Sequence, residues 1–342
     1  MKQLLSSYQL GHVPLKNRVV MPPMCMYKAK EDGCISDFHM CHYGARAIGG
    51  VGLIIVEATA VEACGRITDN DLGLWDDKQI AGHQKLNNIL HDLGSKTAIQ
   101  LAHAGRKSLC KESTPVAPSA LLFSESGGFK KPHALDINEI EAIKTAFVKA
   151  AQRALKAGYD ILELHSAHGY LLCEFLSPLT NQRNDLYGGS LENRCRLTLE
   201  ICEAILHTIN APLLVRISAD EWMDKGWNIE DSIYLSHKLK DLGVAMAHVS
   251  AGGNHAVQTL MPELKALYQS DYAKKITDSV AIPTIAVGMI TTASEGETLL
   301  ETKTCDLVAY GRELLRNPNF VHHIAKAYDC KEQIEVSYLR AY

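Results

Sequence analysis

The chain of 342 residues carries 35 Lys and Arg against 39 Asp and Glu, a formal net charge of −4, and 46% of its residues are hydrophobic. This composition is typical of a globular protein with a large core, and the scattered basic residues exclude an electrostatic footprint for nucleic acid or anionic lipid. The first residues form no sustained apolar segment, and no later run approaches the roughly 18 residues of a membrane span. We therefore expect a cytoplasmic protein that acts on a small molecule, without a nucleic-acid or membrane partner.

Eight short β-rich runs alternate with helical segments along the chain. Strands are predicted at residues 18–21, 51–56, 97–101, 159–164, 213–217, 244–249, 284–287 and 306–310. Helices are predicted at residues 38–49, 77–93, 138–157, 191–209, 230–242, 264–278, 293–302 and 313–328. In the clearest helix, Asn138 is expected to be the N-cap and Gly158 to end it. This order predicts an α/β fold, a single (β/α)₈ TIM barrel over residues 1–342.

Residues 109–135 are long, polar and rich in Pro, Ser and Gly. We interpret them as an excursion from the loop after the third strand and not as a domain boundary. A doubly wound sheet also alternates strands and helices, so it remains the competing architecture. It would favour a Gly-x-Gly-x-x-Gly turn after an early strand, and the chain has none there.

Ten cysteines show no close pairing and no Cys-x-x-Cys motif. This usage argues against a disulfide framework, a zinc ribbon or an iron–sulfur cluster, and indicates buried thiols in a reducing compartment. The segment His39-Met40-Cys41-His42 contains metal-ligand residue types in a predicted helix that starts near Asp37. A metal site there is the alternative to our expectation that the chain holds no metal.

The ends of the predicted strands collect polar residues, and in a barrel the carboxyl ends of the strands form the active site. Glycine turns follow the last two strands, at Gly288 and at Gly311-Arg312, and their bare amides with a guanidinium suit a phosphate. Either glycine alone is better explained as an ordinary turn residue, and only its pairing with the polar residues at the other strand ends favours a phosphate site. Three other predicted strand ends carry Ala58, Gln100 and Arg216. A small side chain, an amide and a fixed cation suit a flat, heteroatom-rich ring that gathers negative charge when it is reduced.

The segment His165-Ser166-Ala167-His168-Gly169-Tyr170 follows the apolar fourth strand. Histidines three residues apart can aim N–H donors at a single oxygen, and the tyrosine supplies a weak acid beside them. These residues are suited to polarising a carbonyl. Alternatively, both histidines satisfy buried backbone groups and the tyrosine only packs; the six residues alone do not decide.

The chain contains several long motifs: Val20-Met-Pro-Pro-Met-Cys-Met-Tyr27, Gln100-Leu-Ala-His-Ala-Gly-Arg-Lys107, His165 to Tyr170, Gly311-Arg-Glu-Leu314, Glu174-Phe-Leu-Ser-Pro178 and the polar signature of residues 181–194. Together these motifs resemble the old yellow enzyme family of FMN-dependent ene-reductases. The resemblance spans almost the whole chain. Cys25 and the terminal Arg340 look like the bacterial branch whose NADPH dehydrogenase has a cysteine beside its flavin.

The resemblance implies FMN held without covalent attachment, and NADPH or NADH as the hydride donor. The implied FMN contacts are Pro22, Pro23, Met24, Cys25, Ala58, Gln100, Arg216, Gly288, Gly311 and Arg312. Arg216 is expected at the N1–C2 edge of the flavin, Gln100 at its pyrimidine edge, and the two glycines with Arg312 at the phosphate. Cys25 is expected to tune the redox potential.

The implied reaction is ping-pong reduction of the C=C bond of an α,β-unsaturated carbonyl or nitro compound. His165 and His168 would hold the substrate oxygen, Tyr170 would protonate the α-carbon, and Tyr27 would position the substrate. The resemblance also implies a homodimer or homotetramer in which the tail from about residue 330 places Arg340 in a neighbouring active site. Here the tail ends Arg340-Ala341-Tyr342, which departs from the Arg-Gly-Trp of the branch.

Three other functions remain open at this stage. The same scaffold could reduce nitroaromatics, nitrate esters or other xenobiotics, as in detoxification. It could bind flavin as a sensor with little catalysis, although flavin binding alone needs none of His165, His168 and Tyr170. A phosphosugar isomerase or aldolase on the same barrel would lack the yellow colour of a flavoprotein.

Overall fold

The structure, a computed structural model, describes residues 2–30 and 32–342, and its centre is a closed parallel barrel. The barrel strands are β1 Val19–Met21, β2 Leu53–Ala60, β3 Lys96–Ala102, β4 Ile161–Ser166, β5 Leu213–Ser218, β6 Met246–Ser250, β7 Thr284–Ala286 and β8 Leu307–Ala309. Neighbours in the chain pair in parallel, and β1 pairs with both β8 and β2, which closes the ring. The predicted (β/α)₈ barrel is confirmed, and the doubly wound alternative is wrong.

Helices follow the strands and surround the barrel. They are α1 Asp37–Ile48, α2 Ile80–Asp92, α3 Ile137–Lys156, α4 Leu191–Thr208, α5 Ile229–Leu242, α6 Ser270–Val280, α7 Ala293–Glu301, α8 Arg312–Arg316 and α9 Phe320–Ala327. A further short helix, Leu171–Leu176, follows β4 directly. Among the described residues, no helix has the length and apolar character that crossing a membrane requires.

Alternate residues of each strand face two different hydrophobic clusters, as the period of a β-strand dictates. In β8, Leu307 and Ala309 belong to the cluster inside the barrel, whereas Val308 packs with the surrounding helices. An N-terminal hairpin, Tyr8–Leu10 with Val13–Leu15, adds buried apolar residues to the interior cluster. Because this hairpin packs into the interior, the carboxyl ends of the strands remain as the open end of the barrel.

The N-cap of α3 differs from the prediction. Asp136, not Asn138, caps the helix: its carboxylate accepts from the Glu139 backbone N–H at 2.9 Å, and Glu139 accepts from the Asp136 N–H at 2.7 Å. The reciprocal capping box forms at Asp136 and Glu139, and Asn138, which also has an acidic residue three positions later at Glu141, already lies inside the helix. Gly158 ends the helix as predicted, with a φ of +90° that suits glycine.

Three element boundaries also differ. The sixth helix begins at Ser270 and not near residue 264, and the segment 313–328 splits into α8 and α9 at Pro318, which cannot continue a helix. Strand β2 runs on to Ala60 through a register shift between Val56 and Thr59, so Ala58 lies inside the strand and not after it. Residues 109–135 form the predicted excursion between β3 and α3, with one short strand pair, Val116–Ala117 and His133–Ala134.

Candidate active site

A cleft of about 560 Å³ lies at the carboxyl ends of the barrel strands. Its lining includes Pro22, Pro23, Met24, His168, Arg216, Ser250, Tyr268, Gln269, Gly288, Gly311 and Arg312. Residues predicted from five separate strand ends are thus brought to one place. Gly288 has a φ of +125°, a conformation that L side chains rarely adopt, which explains the glycine at the end of β7.

Arg216 lies in β5 with neighbours on both sides. The strand register pairs it with His165 of β4 and with His248 of β6. Its side chain is buried, burial lowers its pKa, and its Nε has no hydrogen-bond partner among the described residues. A buried donor of this kind is suited to an acceptor that a ligand brings.

Gln100 and His248 both contact the carboxylate of Glu163. Gln100 donates from Nε2 to Glu163 Oε1 at 2.8 Å, and His248 Nδ1 lies 2.7 Å from Glu163 Oε2. All three side chains are buried in the barrel, with Glu163 and His248 fully inaccessible to solvent. Three strands, β3, β4 and β6, are therefore joined by one polar group beneath the open end.

The imidazole of His165 has a defined tautomer. The backbone N–H of Ala167 donates to His165 Nδ1 at 3.2 Å, so Nδ1 must be the acceptor. Burial, with the charge of Arg216, lowers the pKa of His165 well below its usual value, so the ring is neutral and carries its proton on Nε2. His165 therefore offers one N–H donor.

His168 lies in the turn after β4 with a φ of +58°, an uncommon conformation for a residue with a side chain. Its backbone N–H donates to Ser218 Oγ at 2.9 Å, and its Nε2 lies 2.8 Å from Ser250 Oγ. The rings of His165 and His168 meet edge to face, with centroids 5.3 Å apart and planes at 89°. Burial keeps the pKa of His168 well below its usual value too, so the pair is uncharged.

Tyr170 is the N-cap of the short helix after β4, and its ring lies 5.0 Å from that of His165. Burial raises its pKa well above 10, so the phenol is protonated at neutral pH. Lys107 Nζ lies 4.9 Å from the centre of this ring and 4.8 Å from that of Phe123, which belongs to the excursion. The same ammonium donates to the carbonyls of His168 at 2.9 Å and Gly253 at 3.1 Å.

The loop after β1 brings Cys25 and Tyr27 to the same region. It is held by Glu57, whose Oε2 accepts from the Met26 backbone N–H at 2.8 Å. Tyr27 is 43% exposed and has a φ of +54°. Burial raises the pKa of Tyr27 to about 12 and also raises the pKa of the Cys25 thiol, so both side chains are neutral.

Two clusters of metal-ligand residue types have hydrogen-bonding explanations. His39 lies in the first turn of α1, where its Nδ1 accepts from the Ser36 backbone N–H at 3.1 Å, while its Nε2 lies 3.4 Å from Glu57. Glu62, Cys64 and His103 place ligand atoms within 4.8 Å of one another. However, the Gly105 N–H donates to His103 Nδ1, so a neutral His103 carries its proton on Nε2, 3.4 Å from Glu62, and has no lone pair for a cation there.

Comparison with known proteins identifies the family. Residues 3–330 match the model of the NADH:flavin oxidoreductase / NADH oxidase family. The chain belongs to this family. It is an FMN-dependent oxidoreductase of the old yellow enzyme type, which confirms the resemblance read from the sequence motifs.

Solved structures agree with membership of this flavin oxidoreductase family. Morphinone reductase is 29% identical over 95% of this chain and 90% of its own, with a TM-score of 0.83. The old yellow enzyme homologue of Zymomonas mobilis is 27% identical over 95% and 93%, with a TM-score of 0.82. 2-Naphthoyl-CoA reductase has a TM-score of 0.89 at 20% identity, which shows the fold alone, and this chain spans 52% of its length.

Several of the residues that the old yellow enzyme motifs predicted lie outside the cleft lining: Cys25, Tyr27, Ala58, Gln100, His165, Tyr170 and Arg340. His165 is in ring contact with His168 of the lining and with Tyr170. Ala58 lies with Tyr170 at a small neighbouring crevice, and Gln100 lies below, against Glu163. Arg340 lies exposed in the C-terminal 3₁₀-helix Val336–Ala341, so its expected role in a neighbouring site stays a prediction.

Sequence reasoning about the site missed Glu163 and His248. The available signal was an ionisable residue inside an otherwise apolar strand, since a buried charged group needs a partner.

Proposed function

We propose that the protein is an NAD(P)H-dependent ene-reductase that reduces the C=C bond of electron-poor alkenes carrying a carbonyl or nitro group. The observation that carries this proposal is the arrangement of three neutral rings, His165, His168 and Tyr170, at the mouth of the barrel next to Arg216. Two N–H donors beside a protonated phenol are suited to an oxygen that gains negative charge and a carbon that needs a proton.

The residues of the cleft suit FMN. Gly288, Gly311 and Arg312 would hold its phosphate, and Pro22 to Cys25 with Ala58 would flank the ring. Arg216, with its unpartnered buried Nε, would face the edge of the ring that becomes anionic, and Gln100 would bind the pyrimidine edge. Bound FMN would supply hydride transfer, from a nicotinamide donor to the β-carbon of the alkene. The neutral Cys25 thiol would tune the redox potential.

His165 and His168 would bind the substrate oxygen. Because both rings are neutral, each would contribute a dipolar N–H donor and not a full positive charge: His165 from Nε2, and His168 from Nδ1 with Ser250 Oγ donating to its Nε2. A preorganised donor of this kind typically contributes about 3 kcal/mol to the stabilisation of a developing oxyanion, which is about a hundredfold in rate. Tyr27, exposed at the mouth, would position the rest of the substrate.

Tyr170 would deliver a proton to the α-carbon. Burial disfavours its phenolate, the charge of Arg216 offsets part of this cost, and the ammonium of Lys107 over the face of the ring would add to that offset when the proton leaves. The carbonyls of His168 and Gly253 hold that ammonium in place. Proton delivery and oxygen binding would thus depend on the same turn after β4.

The nicotinamide is proposed to use the same cleft. Morphinone reductase, a relative at 30% identity, has been solved with tetrahydroNAD, which supports a nicotinamide donor here. We also propose a homodimer or homotetramer in which Arg340 of one subunit reaches the cleft of another. All ten cysteines, each within the described ranges, are free, as a reducing compartment such as the cytoplasm would keep them.

Anaerobic mixing tests this function directly. The yellow protein should be bleached by NADPH or NADH and then re-oxidised by 2-cyclohexenone, with cyclohexanone as the product. The same pair of histidines could hold a nitro group, so nitroaromatics and nitrate esters belong in the acceptor panel. Re-oxidation by nitro compounds alone would favour the nitroreductase alternative. Bleaching without re-oxidation by any acceptor would favour a flavin sensor.

A further inference from the structure

Glu163 contacts Gln100, which we assign to the flavin, and His248, which we do not. Its Oε1 accepts from Gln100 at 2.8 Å, its Oε2 lies 2.7 Å from His248 Nδ1, and no solvent reaches it. His248 in turn is the strand neighbour of Arg216. The mechanism proposed above does not use Glu163, although a fully buried carboxylate is costly unless it is paired.

The first consequence concerns the orientation of the Gln100 amide. A carboxylate oxygen carries no proton, so Gln100 must turn its NH₂ group toward Glu163. Its Oε1 is then turned away, and none of the described residues donates a hydrogen bond to that oxygen. The pyrimidine edge of a flavin carries one N–H, at N3, between two carbonyls. Only the acceptor end of Gln100 is complementary to that N–H.

The second consequence concerns charge. Burial disfavours the guanidinium of Arg216, and among its neighbours Glu163 does most to oppose this effect, since it acts to raise the pKa of Arg216. His248 adds no positive charge, because burial lowers its pKa and its Nδ1–H donates to Glu163. Glu163, His248 and Arg216 together therefore carry one negative and one positive charge beneath the proposed flavin site.

We propose that Glu163 is a positioning residue for the flavin: it fixes the Gln100 amide with its oxygen toward N3–H, and it limits how strongly Arg216 favours the anionic reduced ring. This inference rests on the proposed function, because it assumes FMN in the cleft next to Gln100 and Arg216. It goes beyond that function in assigning a buried residue that does not itself touch the cofactor.

The substitution Glu163→Gln tests the orientation of Gln100 and the charge balance at Arg216 without changing a residue that contacts the substrate. A glutamine at 163 has one acceptor and one donor, so it cannot accept from both Gln100 and His248, and it carries no charge. We expect a more positive midpoint potential, because the charge of Arg216 is then unopposed. We also expect a shifted N3–H resonance of ¹⁵N-labelled FMN and roughly tenfold weaker FMN binding, the equivalent of about one hydrogen bond.

A matched control and a second variant complete the experiment. Glu297 is also a buried carboxylate, and it accepts from the backbone N–H groups of Gln3 and Leu4 near the closed end of the barrel. Glu297→Gln should lower the melting temperature without changing the potential or the N3–H resonance. If Glu163→Gln does not fold, Gln100→Met keeps the Glu163 charge and should shift the N3–H resonance, because it removes the acceptor that Glu163 orients.

The results that would overturn this inference differ from those that would overturn the proposed function. A folded, FMN-loaded Glu163→Gln protein with unchanged potential and N3–H resonance would overturn the inference, as would Gln100→Met with an unchanged resonance. If the wild type itself binds no FMN, or is not re-oxidised by any alkene, the proposed function fails instead.

Discussion

The backbone N–H of Ala167 donates to His165 Nδ1 at 3.2 Å, and this single contact decides which nitrogen of the histidine faces outward as a donor. The ring cannot exchange roles between its nitrogens without leaving a buried N–H unsatisfied. The small residue two positions after the histidine thus belongs to the function of the turn. The same local geometry occurs at His103, whose Nδ1 accepts from Gly105.

Replacing His165 should separate hydrogen-bond donation from packing. His165→Leu removes the donor, and we expect kcat/KM for 2-cyclohexenone to fall about a hundredfold. His165→Gln can still present an N–H and should lose clearly less. Steady-state kinetics at matched FMN occupancy measure both. Equal losses in the two variants would mean that the ring only fills space.

Lys107 should matter through its charge. It lies between the rings of Phe123 and Tyr170 and donates to two backbone carbonyls. Lys107→Met should slow alkene re-oxidation by about tenfold, the scale of one charge-assisted contact, and Lys107→Arg should recover part of the rate. Bleaching by NADPH should change little. If the arginine variant is as slow as the methionine variant, the position of the ammonium and not its charge is what matters.

Subunit mixing tests the placement of Arg340. If Arg340 acts in a neighbouring cleft, Arg340→Ala and Tyr170→Phe each impair a different component of the same shared site. Unfolding and refolding the two variants together should then restore activity in the hybrid, because one of its sites receives an intact Tyr170 and an intact Arg340. Activity that never exceeds the sum of the separate variants would indicate that Arg340 acts within its own chain or not at all.

The stability of the fold should fall with acid partly through His83. This side chain is fully buried, its Nδ1 lies 2.8 Å from Tyr159 Oη, and burial lowers its pKa to about 4. Below pH ~6.5 the unfolded chain binds a proton that the native state excludes, so the free energy of unfolding decreases as the pH falls toward 4. This group accounts for up to about 3 kcal/mol of that decrease.

Denaturant unfolding at a series of pH values measures the effect. His83→Gln, which does not titrate, should be less stable than the wild type near neutral pH but should lose less stability between about pH 6.5 and pH 4. If the free energies of unfolding of the two proteins change equally with pH, His83 is protonated in the native state as readily as in the unfolded chain.

The barrel and most of its site followed from the sequence, because the alternation of strands and helices fixes a barrel and brings the carboxyl ends of its strands together. The placements of His165, Arg216 and Gly288 at one end are examples. Individual hydrogen bonds were harder to predict from the sequence. The cap at Asp136 depends on its pairing with Glu139, and the contacts of Glu163 join residues 63 and 85 positions apart in the chain. Such pairings depend on strand register, which a single sequence does not display.

Stopped-flow measurement of the two half-reactions in the wild type and in Tyr170→Phe tests the central claim most directly. Wild-type protein should be bleached by NADPH and re-oxidised by 2-cyclohexenone. Tyr170→Phe should be bleached at nearly the same rate, but its re-oxidation should be slower by at least about a hundredfold, the scale of general acid catalysis. An equal loss in both half-reactions, or re-oxidation at the wild-type rate, would contradict the assignment of Tyr170 as the proton donor of an ene-reductase.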